Sequence, residues 1–316
     1  MKNIISLILF GSFLIISCDM ETVIDLDIPP HESVLVLNGL LDTDTNARVI
    51  VSHSVGAFSN AVPSSINNAN VFLYKDNQFI DSLLPDMTNL VYVHYDDDYN
   101  TDSLPMYYYK SDYIPEKDAT YRVEVDYSDY TPISAETYIP DDIILYNIDV
   151  DTTSNEEKIG FTFSFDDNAN QQNYYRLKLY GSCEKELKVN KKYDEWDRGY
   201  LVMMSNDPSF PGDIPWDGYT FIGDEVIFTD DLFNGQSKSI TLDVEEKFKY
   251  ADCDTIIIEF STFSDNTYSY YNSLGDHSEK GELGIFGGEV IPVYSNVENG
   301  LGVLISTNAQ QVYLKP

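Results

Sequence analysis

Apolar and polar residues alternate with a period of two along most of this chain, a pattern that predicts β-strands with one buried face. The alternation is clear over residues 121–125 and 159–165, and Thr255 to Phe263 is apolar enough to predict a central strand. Ser264 follows that strand and is a residue type that caps helices, so a short helix is expected after it. The pattern therefore predicts an all-β protein with one short helix near its C-terminus.

The predicted strands fall into two blocks, and Pro140 ends the first of them. Short strands separated by turns over residues 31–140 are typical of a β-sandwich domain of the immunoglobulin type. Residues 141–316 show the same pattern and predict a second, C-terminal β-sandwich domain. Residues 182–223 interrupt this second block and contain three prolines, so we expect a long irregular insertion with a functional or partner-facing role.

The N-terminus has the features of an export signal. Lys2 gives it a basic start, and Ile4 to Ile16 is an apolar run too short to span a bilayer as a helix. The run ends in Leu-Ile-Ile-Ser-Cys at residues 14–18, which resembles the lipobox of bacterial lipoproteins. We therefore expect residues 1–17 to be a signal peptide and Cys18 to become the lipid-anchored first residue. The alternative is an ordinary secretory signal with an incidental cysteine.

Acidic residues follow the predicted anchor directly. Asp19, Glu21, Asp25 and Asp27 lie within residues 18–30, which we interpret as an acidic tether. Acids at this place resemble the signal by which lipoproteins of the Bacteroidota are displayed on the outer face of the outer membrane. Cell-surface localisation is therefore expected, and the alternative is that these acids only keep the tether solvated.

The composition sets the charge of the molecule. The 316 residues include 19 Lys and Arg against 53 Asp and Glu, which gives a formal net charge of −34. Removal of the signal peptide takes away Lys2 and no acid, which leaves 18 − 53 = −35. Nucleic acid is excluded as a partner, because its binding depends on clustered cations. The same charge disfavours lying on anionic lipid, so we expect membrane contact through the lipid anchor alone.

Two cysteines remain after the predicted anchor. Cys183 and Cys253 each lie next to a predicted strand, in a compartment that permits oxidation. A disulfide across a sandwich and a pair of unbonded buried thiols are equally favoured, because spacing alone does not show that the two Cβ atoms meet. Thiol catalysis is disfavoured, since neither cysteine is in a Cys-x-x-Cys motif or beside a histidine.

An acidic stretch in the first block is a candidate calcium site. Asp96, Asp98, Asn100 and Asp102 place oxygen ligands at alternate positions, as a calcium-binding loop does. Thr101 stands where an EF-hand loop needs glycine, and the twelfth position lacks the required glutamate. We therefore prefer a solvated acidic loop, with calcium as the alternative and no other cofactor expected.

Both tryptophans of the chain lie in the predicted insertion. Trp196 and Tyr200 are close in sequence, as are Trp216 and Tyr219. Such side chains on a loop stack on sugar rings or anchor a protein interface, since they combine a large contact area with a polar group. They are candidates for a ligand- or partner-binding loop, although packing of the loop onto its own domain is the preferred interpretation.

The sequence contains no recognisable catalytic motif. Its four histidines form no His-Glu-x-x-His pair, and neither a Gly-x-Ser-x-Gly elbow nor a phosphate-binding loop occurs. Carboxylates are so abundant that any two can be proposed as an acid/base pair, which makes such a proposal uninformative. We therefore expect a protein that is not an enzyme, and a surface hydrolase is the least favoured alternative.

The C-terminal part of the chain resembles a known family. Residues 292–303, Pro-Val-Tyr-Ser-Asn-Val-Glu-Asn-Gly-Leu-Gly-Val, are similar to the hallmark of a Bacteroidota lipoprotein family called domain of unknown function 4249 (DUF4249). Leu304 departs from the family pattern, which has an aromatic residue there. Other stretches that resemble the family are Val36–Leu40, Asn70–Tyr74, Tyr174–Leu177 and Ser264–Tyr268.

The resemblance implies an outer-membrane lipoprotein encoded beside a TonB-dependent receptor, with no established reaction. We therefore expect a non-catalytic accessory or binding subunit of a TonB-dependent (SusC-like) transporter that takes part in nutrient capture. The main alternative is a stand-alone surface module that binds a glycan or calcium.

The residues of the hallmark favour a structural role. Asn299, Gly300 and Gly302 permit positive φ angles and close backbone approach, which suits a turn into the final strand. Asn296 is expected to hydrogen-bond to its own backbone. A structural turn is therefore preferred over a ligand-binding loop.

Overall fold

Strands dominate the part of the chain that the computed structural model describes. This part comprises residues 32–56, 64–97, 100–151, 158–182, 198–212, 218–245, 255–281 and 291–315. The prediction of an all-β protein with one short helix is confirmed, because these residues contain eighteen strands and a single 17-residue helix. None of the described helical residues forms a segment long and apolar enough to cross a bilayer.

The strands and the helix are numbered here in chain order. Their bounds are β1 (Leu35–Asp42), β2 (Arg48–His53), β3 (Asn70–Lys75), β4 (Gln78–Asp97), β5 (Asn100–Lys110), β6 (Ala119–Asp126), β7 (Ile133–Ile139), β8 (Tyr146–Asp151), β9 (Lys158–Asp166), β10 (Tyr174–Ser182), β11 (Arg198–Tyr200), β12 (Met203–Ser205), β13 (Phe221–Gly223), β14 (Glu225–Thr229), β15 (Ser237–Glu245), β16 (Thr255–Phe263), α1 (Asp265–Gly281), β17 (Val297–Glu298) and β18 (Leu301–Leu314).

Thirteen of the described strands belong to one sheet. Its order is β11-β10-β16-β18-β1-β2-β5-β4-β3-β6-β7-β17, and β14 also pairs with β10. The last strand, β18, lies between β1 and β16, parallel to the first and antiparallel to the second. The predicted central strand, β16, is thus paired on both sides, which explains its apolar sequence.

The first hydrophobic cluster lies inside the part of this sheet formed by β1 to β7. β4 pairs with β3 through Gln78–Leu83 and with β5 from Leu84 onward, so the sheet turns over on itself at this strand. Both halves send alternate residues into one buried cluster, which also includes Val297 and Leu304 from the C-terminal strands. The C-terminus therefore completes the core that the N-terminal strands begin.

The second hydrophobic cluster lies between the large sheet and a five-stranded sheet of order β13-β12-β15-β9-β8. Phe161, Phe163 and Phe165 of β9 point into it, together with Tyr175 of β10 and Phe260 of β16. The Phe165 and Phe260 rings lie 4.9 Å apart between centroids. Each fully buried aromatic side chain of this kind contributes roughly 1.5–3 kcal/mol of burial free energy.

Strands also occur within the segment that we expected to be irregular. β11, β12 and β13 fall inside residues 182–223, while 183–197 and 213–217 lie outside the described residues. Three-residue strands are too short to show a period in the sequence, and β12 is buried along its whole length by its neighbours. The predicted division into two domains at Pro140 stays a prediction.

Helix α1 begins where the sequence predicts. The Ser264 hydroxyl oxygen accepts a hydrogen bond from the backbone N–H of Thr267 at 3.2 Å, which is N-cap geometry. The Thr267 hydroxyl donates to the carbonyl oxygen of Ser306 at 2.7 Å, so the cap also ties the helix to β18. On the outer surface of the sheet, Tyr268 stacks on Tyr174 at 4.5 Å between ring centroids.

Candidate functional site

Strands β4 and β5 form a two-stranded ribbon that continues past their neighbours. β4 pairs with β3 only up to Leu83, and β5 pairs with β2 only through Tyr108–Lys110. From Leu90 to Asp97, β4 pairs with residues 100–107 of β5, and no other described strand pairs with either segment. Among the described residues, both edges therefore lack a strand partner over most of this segment, an arrangement that favours contact with a second molecule.

A bulge separates the ribbon from the sheet. Pro85 pairs with Tyr109 and Leu90 pairs with Tyr107, so the four residues 86–89 lie opposite a single residue of β5. A bulge of this kind bends its strand and re-aims the side chains that follow. The bulge therefore marks the point where the ribbon begins.

Asp86 organises the bulge through its carboxylate. Its Oδ1 accepts hydrogen bonds from the backbone N–H of Thr88 at 3.0 Å and from the Thr88 hydroxyl at 2.6 Å. Its Oδ2 accepts from Asn89 Nδ2 at 2.8 Å and lies 2.6 Å from Lys110 Nζ. The hydrogen bonds from Asn89, Lys110 and Thr88, in that order, hold the pKa of Asp86 well below its ordinary value of 3.8.

One face of the ribbon is apolar and exposed. Leu90 lies opposite Tyr107 and Tyr92 lies opposite Pro105, so the four side chains share one face. Leu90 is 41% exposed, Tyr92 is 55% exposed, and Pro105 is also exposed. We call these four residues the ribbon patch. The opposite face contains Met106, which is buried.

The ribbon is also acidic. Residues 90–107, which form the ribbon and its tip, contain four aspartates and neither lysine nor arginine. Tyrosines are frequent in the same interval, and tyrosine beside apolar residues is the composition of protein-binding surfaces. The arrangement suits contact with a protein surface that combines apolar residues and basic residues.

The predicted calcium ligands fall at the tip of this ribbon. Asp96 and Asn100 lie in β4 and β5, and Asp97 pairs with Asn100. Asp98 and the side chains of Asp96, Asn100 and Asp102 lie outside the described residues. The calcium site stays a prediction.

The structure separates the two described aromatic residues of the predicted binding loop. Tyr200 lies on β11 of the large sheet, 57% exposed, with its ring 5.0 Å from that of Tyr180. Tyr219 donates a hydrogen bond to Asp243 Oδ2 at 2.5 Å, beside the five-stranded sheet. That bond, followed by burial, raises the pKa of Tyr219. Trp196 and Trp216 lie outside the described residues.

The two cysteines of the predicted disulfide lie in sequence next to the ends of two paired strands. Ser182 of β10 lies directly opposite Thr255 of β16. Cys183 follows the first of these residues by one position and Cys253 precedes the second by two. Both cysteines lie outside the described residues, as does Cys18, so the disulfide and the lipidation stay predictions.

The hallmark residues near the C-terminus form the connection between β17 and β18. Asn299 has a φ of 59° and Gly302 a φ of 102°. Gly300 is required for space, since a Cβ there would lie 2.7 Å from the carbonyl oxygen of Leu35.

The Asn296 side chain was expected to hydrogen-bond to its own backbone, but it hydrogen-bonds to residues of two other strands. Its Nδ2 donates to the carbonyl oxygens of Glu136 and Leu304, both at 2.8 Å, and its Oδ1 accepts from Leu304 N at 2.9 Å. Asn296 directly precedes β17, whereas Glu136 belongs to β7 and Leu304 to β18. Asn296 therefore fastens three parts of the sheet together.

Sequence reasoning missed the ribbon patch. The second half of β4 and the whole of β5 were not predicted, because the bulge at residues 86–89 breaks the alternation. The alternation resumes at Leu90 and Tyr92, and this was the available signal.

Comparison with known proteins decides the family. The chain matches the model of the family described as domain of unknown function (DUF4249) over residues 21–312. The chain belongs to this family. The expectation from the C-terminal hallmark is thus confirmed, and the DUF4249 match includes β1 and most of β18 as well as the ribbon.

Other comparisons are more distant. No curated protein matches the chain. Among solved structures, this DUF4249 protein is similar to trypsin-activated alpha-2-macroglobulin from Escherichia coli, with 13% sequence identity and a TM-score of 0.20. That likeness covers 78% of this chain and 15% of the alpha-2-macroglobulin chain.

Proposed function

We propose that this DUF4249 protein is a surface-displayed outer-membrane lipoprotein, anchored through Cys18, that acts as a non-catalytic accessory subunit of a TonB-dependent transporter in nutrient capture. The observation that supports it most directly is the ribbon patch. An exposed apolar and aromatic face on an acidic two-stranded ribbon fits a protein partner better than it fits open solvent.

The geometry of the ribbon suits docking in two ways. An isolated two-stranded ribbon is only marginally stable in water, so contact with a partner would stabilise it. Its acidic sequence also limits the partners, because four aspartates without a lysine or arginine repel acidic surfaces and attract basic ones. A transporter loop region with basic residues around an apolar centre has the complementary chemistry.

The sequence around the anchor supports a position beside a membrane protein. Cys18 precedes Ser33, the first residue of the unit Ser33–Pro316, by 15 residues. A chain of that length reaches at most about 50 Å when fully extended. The body of a lipid-anchored protein would therefore stay within reach of a transporter in the same membrane.

The docking prediction is tested by charging the ribbon patch. The double variant Leu90→Asp, Tyr92→Asp places two charges on its apolar face, which should abolish recovery of a TonB-dependent transporter when the tagged protein is purified from solubilised outer membrane. The matched control is Ile144→Asp, an apolar residue that is 77% exposed elsewhere on the body and should leave recovery unchanged.

Two results would contradict the proposal. One is the absence of any transporter in the wild-type purification. The other is equal recovery with the wild type and the ribbon variant while both retain the same melting temperature.

A further inference from the structure

A cavity of about 610 Å³ is lined in part by Ser33, the first residue of the compact unit Ser33–Pro316. Four segments contribute to it: Ser33 before β1, His53 at the end of β2, residues 64–68 before β3, and the turn between β6 and β7. Its volume is within the range of small-molecule sites in proteins. Nine of its ten lining residues have polar side chains, and Ile66 is the exception.

The segment before β3 is held at both ends. Ile66 N donates to the carbonyl oxygen of Val51 at 3.0 Å, and Ala69 N donates to the Tyr109 hydroxyl at 3.0 Å. Between these two points, Asn67 and Asn68 line the cavity. Fixing the backbone on both sides lowers the entropy cost of presenting their amide groups to a ligand.

The opposite side of the cavity is a tight turn. Tyr130 N donates to the carbonyl oxygen of Tyr127 at 3.0 Å, which closes a four-residue turn around Asp129. The Tyr127 and Tyr130 rings are stacked, with centroids 5.8 Å apart and planes inclined by 25°. The turn therefore offers aromatic surface and one carboxylate to the same cavity.

Some polar groups of the cavity are bonded and others are not. His53 Nε2 lies 2.9 Å from the Ser64 hydroxyl. Asn67, Asn68 and Asp129 have no side-chain hydrogen-bond partner anywhere in the described part of the chain. Two amides and a carboxylate thus remain able to donate and accept hydrogen bonds across the cavity.

These groups select the chemistry of a ligand. Lysine and arginine are absent from the lining, and the whole molecule has a charge of −34, so an anion is disfavoured. Amides and hydroxyls that both donate and accept match a ligand rich in hydroxyl groups, and aromatic rings match its apolar C–H surface. We infer that this cavity binds a neutral saccharide of one or two sugar rings.

The cavity is linked to the ribbon. The Ser65 hydroxyl of the cavity accepts a hydrogen bond from the backbone N–H of Tyr107, a member of the ribbon patch, at 3.2 Å. If the protein acts beside a transporter, as proposed above, the saccharide is the captured nutrient and is held next to the docking ribbon. This last step rests on the proposed function, whereas saccharide binding itself does not.

The experiment measures saccharide binding by the full chain, purified in detergent without a transporter. Titration calorimetry is carried out with glucose, galactose, mannose, N-acetylglucosamine and their disaccharides, and with glucuronate and glucosamine as charged probes. We expect a neutral sugar to bind and the double variant Asn67→Ala, Asn68→Ala to weaken its binding about tenfold or more, the effect of losing one or two hydrogen bonds. The control variant is Asn234→Ala, an exposed asparagine outside the cavity.

Three results would overturn the inference: no binding by any neutral sugar of the panel, tighter binding of glucuronate or glucosamine than of the neutral sugars, or unchanged affinity in the Asn67, Asn68 variant. The double variant Leu90→Asp, Tyr92→Asp distinguishes a failure of this inference from a failure of the proposed function. It should bind the sugar like the wild type while it loses the transporter, so each of the two proposals can fail alone.

Discussion

Gly302 of β18 lies opposite Leu37 of the parallel strand β1. Its φ is 102°, and a Cβ at this position would lie 2.1 Å from the carbonyl oxygen of Leu37. Both the left-handed backbone and the contact require glycine, because an L side chain is strained at this φ and has no room.

We predict that Gly302→Ala lowers the free energy of unfolding by more than about 2 kcal/mol. Denaturant titration followed by circular dichroism measures the change. Gly275→Ala is the control, since nothing lies within 4 Å of the corresponding Cβ in helix α1. This control should be neutral or stabilising by up to about 1 kcal/mol. Equal losses in the two variants would show that the contact with Leu37 is not the cause.

At the scale of elements, the ribbon depends on the Asp86 bulge. The lowered pKa of Asp86 means that the folded state favours its ionised form. The resulting stabilisation is fully present above the ordinary aspartate pKa of 3.8 and is lost as the pH falls below it toward the folded-state pKa.

We predict that Asp86→Asn increases hydrogen exchange of the ribbon amides at neutral pH, relative to the wild type. The difference between the two proteins should shrink as the pH falls below 3.8, because the wild-type carboxylate becomes protonated. Asn89→Ala removes the hydrogen bond with the largest effect on this pKa, so it should act in the same direction. A difference that is independent of pH would rule out the carboxylate as the cause.

The bulge also explains which elements were predictable. Strands such as β6 and β9 alternate without interruption, and the sequence pattern places them correctly. β4 has four residues opposite one residue of β5, three more than regular pairing allows, so its pattern shifts and the sequence shows only its first part. A local pattern fails wherever the number of residues on two paired strands differs.

For the whole molecule, charge and anchor are linked. A formal net charge of −34 repels the anionic lipid surface, so the body itself has little attraction to a membrane.

We predict that Cys18→Ser, expressed with its signal peptide, moves the protein from the membrane fraction to the soluble fraction. Metabolic labelling with a radioactive fatty acid measures acylation, and fractionation measures attachment to the membrane. If the Cys18→Ser variant incorporates no radioactive fatty acid and still fractionates with the membrane, the prediction of a single lipid attachment is contradicted.

The residues that line the cavity could not be predicted from the sequence. His53, Asn67 and Tyr127 come from three separate segments, and nothing in their local sequence indicates that they share a cavity. The acidic tip of the ribbon was visible in the sequence as an aspartate-rich stretch, but the exposed patch beside it was not. Convergence of distant residues depends on strand pairing, which local patterns do not specify.

The amino-acid sequence alone determined the strand content, the position of helix α1 and the family hallmark, because alternation, helix caps and turn residues act over a few neighbouring positions. The tertiary structure decided which strands pair. Val36 lies opposite Leu301, 265 residues along the chain, and this pairing places the C-terminal strand between two parts of the core. Such a contact forms because both strands bury their apolar faces in the same place, a condition that only the folded chain can meet.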